Sequence, residues 1–243
     1  ELRNIAPTAR LRTQIDDLAS MAGRLDAEPK YSVNFFLDPN VEQRLSVLNA
    51  DWQAPAGSRA ATLIAALRKS AEIFGYYRRA NAGEPVGLYN NTVREEWLKA
   101  QFRLCYERSS HRKSLPKMMF KMGANHLYHG LNATYAFPVG NLAHEFAIMN
   151  GMEGFGIMAV TFSPGRGYQG QPEWLKALLP SDPPTRPTLI NLRPLRPAGG
   201  IIRRQRKVED VQSFRQVLYG YDALMIFPNA PDADMQLSGL KAP

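Results

Sequence analysis

The chain has 243 residues, 44% of them hydrophobic, with three Trp, ten Tyr and eleven Phe. This is enough apolar material for one large domain or one and a half small ones, and it excludes a chain too polar to build a core. A single cysteine, Cys105, excludes an intramolecular disulfide framework and any Cys-rich zinc module, while leaving the compartment open.

The net charge of +8 permits attraction to nucleic acid or anionic lipid, so the position of the charge matters. The densest basic runs, Arg108 to Lys113 and Arg203 to Lys207, read as solvated loops beside secondary structure. Neither run is interleaved with Gly and aromatic residues, and no helix-turn-helix or zinc-finger spacing accompanies them, so no specific nucleic-acid partner is expected. No run of eighteen apolar residues occurs, so no membrane span is expected. The first residue is Glu1 rather than Met. This suits a chain cut by signal processing, or one portion of a longer protein, and leans toward a periplasmic or secreted location.

From the start of the chain the apolar spacing is helical. Thr8 to Asp26 carries Leu11, Ile15, Leu18, Met21, Ala22 and Leu25 on one face, with Thr8 as N-cap. A helix hairpin is expected to follow. Ser58 to Arg79 is rich in Ala and Leu, with Leu63, Ile64, Leu67, Ala71, Phe74 and Gly75 on one side, and Asn81 to Pro85 supplies the stop. Asn91 to Arg108 resumes with Trp97, Leu98, Phe102, Cys105 and Tyr106 at helical spacing, which predicts a buried structural thiol at Cys105.

At about residue 115 the pattern changes. Strands are predicted at Pro116 to Met122, Gly156 to Phe162, Thr188 to Leu192 and Asp222 to Phe227, with helices at Asn141 to Asn150, Glu173 to Leu179 and Val208 to Leu218. The expected fold class is α/β, a mainly parallel sheet flanked by helices, with a helical N-terminal region. Near-continuous apolar strands such as Ala223 to Phe227 suit a sheet covered on both faces. Residues 1–115 would then be a mostly helical insert or cap, and 116–243 the sheet portion carrying the site, together one unit or part of a longer chain. The Pro- and Gly-rich stretches Pro164 to Gly170 and Pro180 to Pro187 are long loops, the first a candidate lid or rim.

The segment from Lys117 to Gly130 carries the chemistry. An apolar run breaks at Gly123 and delivers Asn125, His126 and His129, while His144 and Glu145 follow downstream. Ligands of parallel sheets bind beyond the carboxyl ends of strands, where Gly123 to His129 would lie. Should the segment turn helical, His126 and His129 face one point, and with His144 and Glu145 they form a His/His/Glu set of zinc-ligand type, though at no standard spacing. Glu145 also has a structural reading, as a carboxylate near a helix N-terminus. There is no Gly-x-Ser-x-Gly nucleophile elbow. Gly165-Arg-Gly-Tyr-Gln-Gly lacks the Lys-Ser/Thr of a phosphate loop. His111 sits in a basic loop.

Three features together carry a resemblance: Arg94-Glu-Glu-Trp-Leu-Lys99 on a helix; Met118 to Met122 running into Gly-Ala-Asn-His, with Gly140-Asn-Leu-Ala-His-Glu145 downstream; and the ending Ile190-Asn-Leu-Arg-Pro-Leu-Arg196 followed by Tyr221-Asp-Ala-Leu-Met-Ile-Phe-Pro228. Over roughly residues 90 to 230 the chain resembles the later half of the erythromycin esterase and haem-binding uptake protein superfamily. The resemblance implies metal-independent hydrolysis of an ester or related bond in a small-molecule substrate, with no cofactor, through water activated by a histidine at the end of a strand. His126 takes that position, and Arg94 that of the helix arginine. The esterases also use an earlier strand ending in Gly-Glu-x-His, and residues 1–115 contain no counterpart.

An imidazole titrates near neutrality and is suited to take a proton from water, Asn125 can hold a substrate oxygen, and Arg94 can give two parallel hydrogen bonds to a carboxylate or oxyanion. Glu145 supports His126 in this reading, and His129 and Tyr128 line the substrate. The alternative is a non-catalytic haem or small-ligand binder on the same fold, with His126, His129, Tyr128 or a methionine as axial ligand, or with a divalent metal.

Overall fold

The computed structural model describes residues 1–26, 35–109, 116–162, 173–176, 178–179, 184–200 and 208–228. The chain divides into two compact units, Glu1–Arg108 and Ser109–Pro243.

The first unit is helical among its described residues, with α1 (Leu2–Ile5), α2 (Ala9–Asp26), α3 (Pro39–Trp52), α4 (Arg59–Asn81) and α5 (Tyr89–Ser109). Each of the three helices α2 to α4 starts where a side chain satisfies an orphan backbone N–H. Thr8 Oγ1 accepts from Leu11 N–H at 3.3 Å, Asp38 accepts from Asn40 N–H at 2.8 Å with Pro39 in the first helical turn, and Ser58 Oγ accepts from Ala61 N–H at 3.1 Å. The core of the unit forms where the apolar stripes of α2, α3 and α4 meet: Leu11, Leu18, Val41, Leu45, Leu48 and Ala71 are all buried. Helix α5 runs back along α4. Tyr89 sits edge-on to Tyr76 with ring centres 5.0 Å apart, Arg94 lies over Phe74 and Lys69 over Trp97.

Cys105 departs from the expectation of a buried thiol, because it is exposed. Phe102 is the last buried residue of α5, and Leu104 beside Cys105 is exposed as well, so the buried stripe of the helix ends before Cys105.

The second unit is built on a three-stranded mixed sheet of β1 (Ile157–Thr161), β2 (Thr188–Asn191) and β3 (Ala223–Phe227), in the order β1-β3-β2. Helices α6 (Val139–Met149), α7 (Glu173–Lys176) and α8 (Val208–Gly220) accompany it. The broad α/β character is as expected, but the mainly parallel sheet is not. β1 runs parallel to β3, with Ile157 opposite Ala223, whereas β2 runs antiparallel to it, with Thr188 opposite Ile226. β3 takes the centre because it is the most apolar strand: Ala223, Leu224 and Ile226 are fully buried, whereas burial alternates along β1 and β2. Met158, Val160, Ile190, Leu224 and Ile226 share the inward face with Leu218, Phe214 and Leu192. Ile157, Leu189 and Phe227 stand on the other face, each more than a third exposed, so among the described residues that face is only partly covered, with Ala223 buried at its start.

The strand expected at Pro116 to Met122 does not form; these residues pair with no strand among the described residues. Met119 is 91% exposed, and Met118 and Met122 are exposed too, so apolar burial does not offset the entropy of fixing an extended segment there. The Gly-rich stretch Gly165 to Gly170, His111 and the basic run Arg203 to Lys207 lie outside the described residues.

Candidate functional site

Residues 124–130 form a pinned loop. Ala124–His126 is one turn of 3-10 helix, closed by Leu127 N–H donating to Ala124 O at 3.0 Å. The Tyr221 hydroxyl donates to Ala124 O, and Asn132 Nδ2 donates to Asn125 O at 2.8 Å. His129 N–H donates to Gly220 O at 3.0 Å, and Gly130 N–H donates to Asn141 Oδ1 at 2.7 Å. Two glycines make room. A Cβ on Gly140 would lie 2.4 Å from the Leu127 backbone, and one on Gly220 would lie 2.2 Å from the Tyr128 ring. Tyr128 packs edge-on to Tyr221, and burial pushes its hydroxyl up to about 12. Tyr221 is raised too, by burial first and then by Tyr128.

These anchors place the loop against the starts of β1 and β3, not beyond their carboxyl ends. The reason is that the loop is fastened to Gly220 and Tyr221, which precede β3, while the run expected to be its strand joins no sheet.

Asp222, the residue before β3, organises this end of the sheet. It is 2% exposed. Its backbone N–H donates to Gly156 O at 2.8 Å and its Oδ2 accepts from Gly156 N–H at 2.8 Å, which ties β3 to β1. Its Oδ1 accepts from Arg193 Nε at 2.8 Å and from Arg196 Nη2 at 3.0 Å. Arg196 also donates to the carbonyls of Leu218 and Tyr221, and Arg193 lies 4.9 Å over the Phe155 ring. Burial pushes the Asp222 carboxyl up, but hydrogen bonds from Arg193 and the Gly156 N–H, with the charge of Arg193 and a further bond from Arg196, outweigh it and hold the group below its ordinary value.

His129 and His144 meet here. Their rings stack at 4.2 Å between centres and 17° between planes. Gly156 leaves space for the first ring, since a Cβ there would come within 3.1 Å of His129 Nε2. Gly154 leaves space for the second, since its Cβ would lie 2.9 Å from His144 Nδ1. His144 Nδ1 is buried with no hydrogen-bond partner among the described residues. Burial holds His129 below its ordinary value, helped by His144, Arg196 and Arg193 and opposed by Asp222.

The expected site residues are thus only partly assembled. Asn125 and His126 share the 3-10 turn, with Asn125 exposed and His126 half-buried. Tyr128 and His129 point the loop inward. Glu145 is exposed in the middle of α6, which begins at Val139, so it is not a first-turn carboxylate favoured by the helix dipole. Arg94 belongs to the first unit and lies over Phe74. The His/His/Glu set does not converge: adjacent helix positions send His144 onto His129 and Glu145 to the surface, and no metal-ligand group of three forms among the described residues.

Asp222, Arg193 and Arg196 were not foreseen as a cluster. A lone carboxylate at the head of the apolar run Ala223 to Phe227 was the available signal, since such a residue is buried only when paired. The two closing stretches, Ile190 to Arg196 and Tyr221 to Pro228, meet at this ion cluster. The first unit has a concavity of its own, about 380 Å³, lined by Glu42, Arg68, Lys69, Glu72 and Trp97 among others.

Among the described residues no helix is long and apolar enough to cross a membrane. Comparisons with protein-family models, curated proteins and solved structures found no match.

Proposed function

We propose that the chain is a hydrolase resembling the erythromycin esterases, which cleaves an ester or related bond in a small molecule with water activated at His126. The observation that carries this reading is the pinned turn. Ala124, Asn125, Leu127 and His129 are each held through a backbone hydrogen bond, so the half-exposed His126 and the exposed Asn125 are presented on a fixed platform rather than a mobile tip. Catalysis by a general base depends on such prior positioning.

In the reaction, His126 takes a proton from water as the water oxygen bonds to the acyl carbon. The Asn125 amide donates to the carbonyl oxygen as negative charge develops there. The bond to the leaving oxygen then breaks, and the imidazolium returns its proton to that oxygen, leaving His126 neutral. His126 and Asn125 both belong to the second unit.

A panel of activated and alkyl esters tests the reading. His126→Ala should lower kcat/KM by about 10²-fold or more with the circular dichroism spectrum unchanged, in line with the usual contribution of a general base. Turnover that survives in His126→Ala, or a wild-type chain inert to every ester, overturns it.

A further inference from the structure

We propose that His144 is a positioning residue of this site: by stacking on His129 it fixes that ring, and through it the turn that presents His126, against the starts of β1 and β3. The role of the turn in hydrolysis rests on the function proposed above, whereas the stack itself is a matter of packing that can be tested separately.

Four observations converge on His144. Its ring lies nearly parallel to that of His129 with 4.2 Å between centres, a stacked contact. The backbone on both sides is cleared for the pair, because a Cβ on Gly154 or Gly156 would press on His144 or His129 respectively. His129 is fastened through its own N–H to Gly220 O, so fixing its ring fixes the end of the loop three residues beyond His126. Finally, the buried Nδ1 of His144 has no hydrogen-bond partner among the described residues, so no hydrogen bond at that nitrogen competes with the stack in placing the ring.

Charge reinforces the arrangement. The groups acting on His129 are His144 from α6, Arg193 and Arg196 from the 3-10 helix Arg193–Gly200, and Asp222 before β3. The two arginines and His144 oppose a positive charge on His129, and Asp222, already paired with both arginines, favours it. Burial first, then His144 and the two arginines, favours the neutral form of His129, and a neutral ring tolerates close contact with its neighbour where two cations would separate.

The test uses the full chain with His144→Leu, which removes the aromatic stack, and His144→Phe, which keeps a flat ring but cannot take a proton. Imidazole proton and nitrogen resonances are followed from pH 5 to 8, and ester turnover is measured alongside. The expected result is that His144→Leu loses the ring-current shift of the His129 ring protons and lowers kcat about tenfold or more, a loss within the range caused by small misplacements of a catalytic group. His144→Phe should retain the ring-current shift and restore most of the turnover, while the titration midpoint of His129 rises toward its ordinary value. If His129 has the same shifts and midpoint in His144→Leu as in the wild type, or if His144→Leu turns over at the wild-type rate, the inference is overturned. If the resonances change as expected in a chain that hydrolyses no ester, the stack stands and the hydrolase reading falls.

Discussion

The two units hold their shape by different means. In the first, helices carry apolar stripes at regular spacing, side chains cap their starts, and Leu11, Leu45, Leu48 and Ala71 form an apolar core. In the second, the sheet has three short strands among the described residues, and the end that bears the polar loop is held by Asp222, two arginines and several glycines through which backbone and rings pass closely. A helical unit of this kind tolerates change at its exposed positions, which lie away from the packed core. A pinned loop does not, because one displaced anchor disturbs the others.

Gly140→Ala should produce the largest break in this contrast. Its Cβ would meet the Leu127 backbone, which cannot rotate away as a side chain would, so a loss of about 3 kcal/mol is expected, at the upper end for overpacking. Hydrogen exchange should accelerate across residues 124–149 while α2 to α4 keep their protection. Equal acceleration in both units would remove the distinction between them.

Asp222→Asn should have the next effect, about 2 kcal/mol. The amide cannot balance two guanidinium groups, but Arg193 is about half exposed and water recovers part of the loss. The pH dependence follows from linkage. Because the folded Asp222 value is lowered, its stabilisation is complete above the unfolded value of about 3.9 and disappears as pH falls through the folded value. The variant should therefore show a flatter stability curve below about pH 4, the unfolded aspartate range. His129, also lowered, contributes a separate loss of stability as pH falls below about 6.5, the unfolded histidine value, and that slope should persist in the variant. Denaturant midpoints measured from pH 3 to 8 separate the two windows.

Gly23→Ala sharpens the comparison from the other side. Gly23 is exposed within α2, and a Cβ there meets nothing within 4 Å, so the substitution should raise stability by about 0.5–1 kcal/mol. A loss of stability at Gly23 would mean that the first unit is as intolerant as the second.

Much of the first unit was legible because its information is local. The spacing of Leu11, Leu18 and Met21 and the position of Thr8 predict α2, and Ile64 and Ala71 predict the buried side of α4. Helix α3 carries the same kind of signal in Asp38, Pro39, Val41, Leu45 and Leu48, a cap, a first-turn proline and a stripe, though only a hairpin was expected there. Cys105 was misplaced because periodicity marks a stripe without saying where its cover ends.

In the second unit the strands 157–161, 188–191 and 223–227 were legible as apolar runs, and Met118 to Met122 looked the same while forming none. Of the candidate site, Asn125, His126 and His129 were visible as a cluster, but the partners of His129 were not: His144 lies fifteen residues on, and Asp222 acts on it from the far end of the chain.

By itself, then, the sequence determined where helices and most strands form, since spacing, caps and apolar runs act within a few residues. The tertiary structure alone decided that β3 takes the centre of the sheet, that β2 runs against it, and that Asp222 gathers Arg193 and Arg196 beside the stacked His129 and His144. These arrangements depend on which distant surfaces bury one another and which buried charges find partners, and no local pattern encodes that choice.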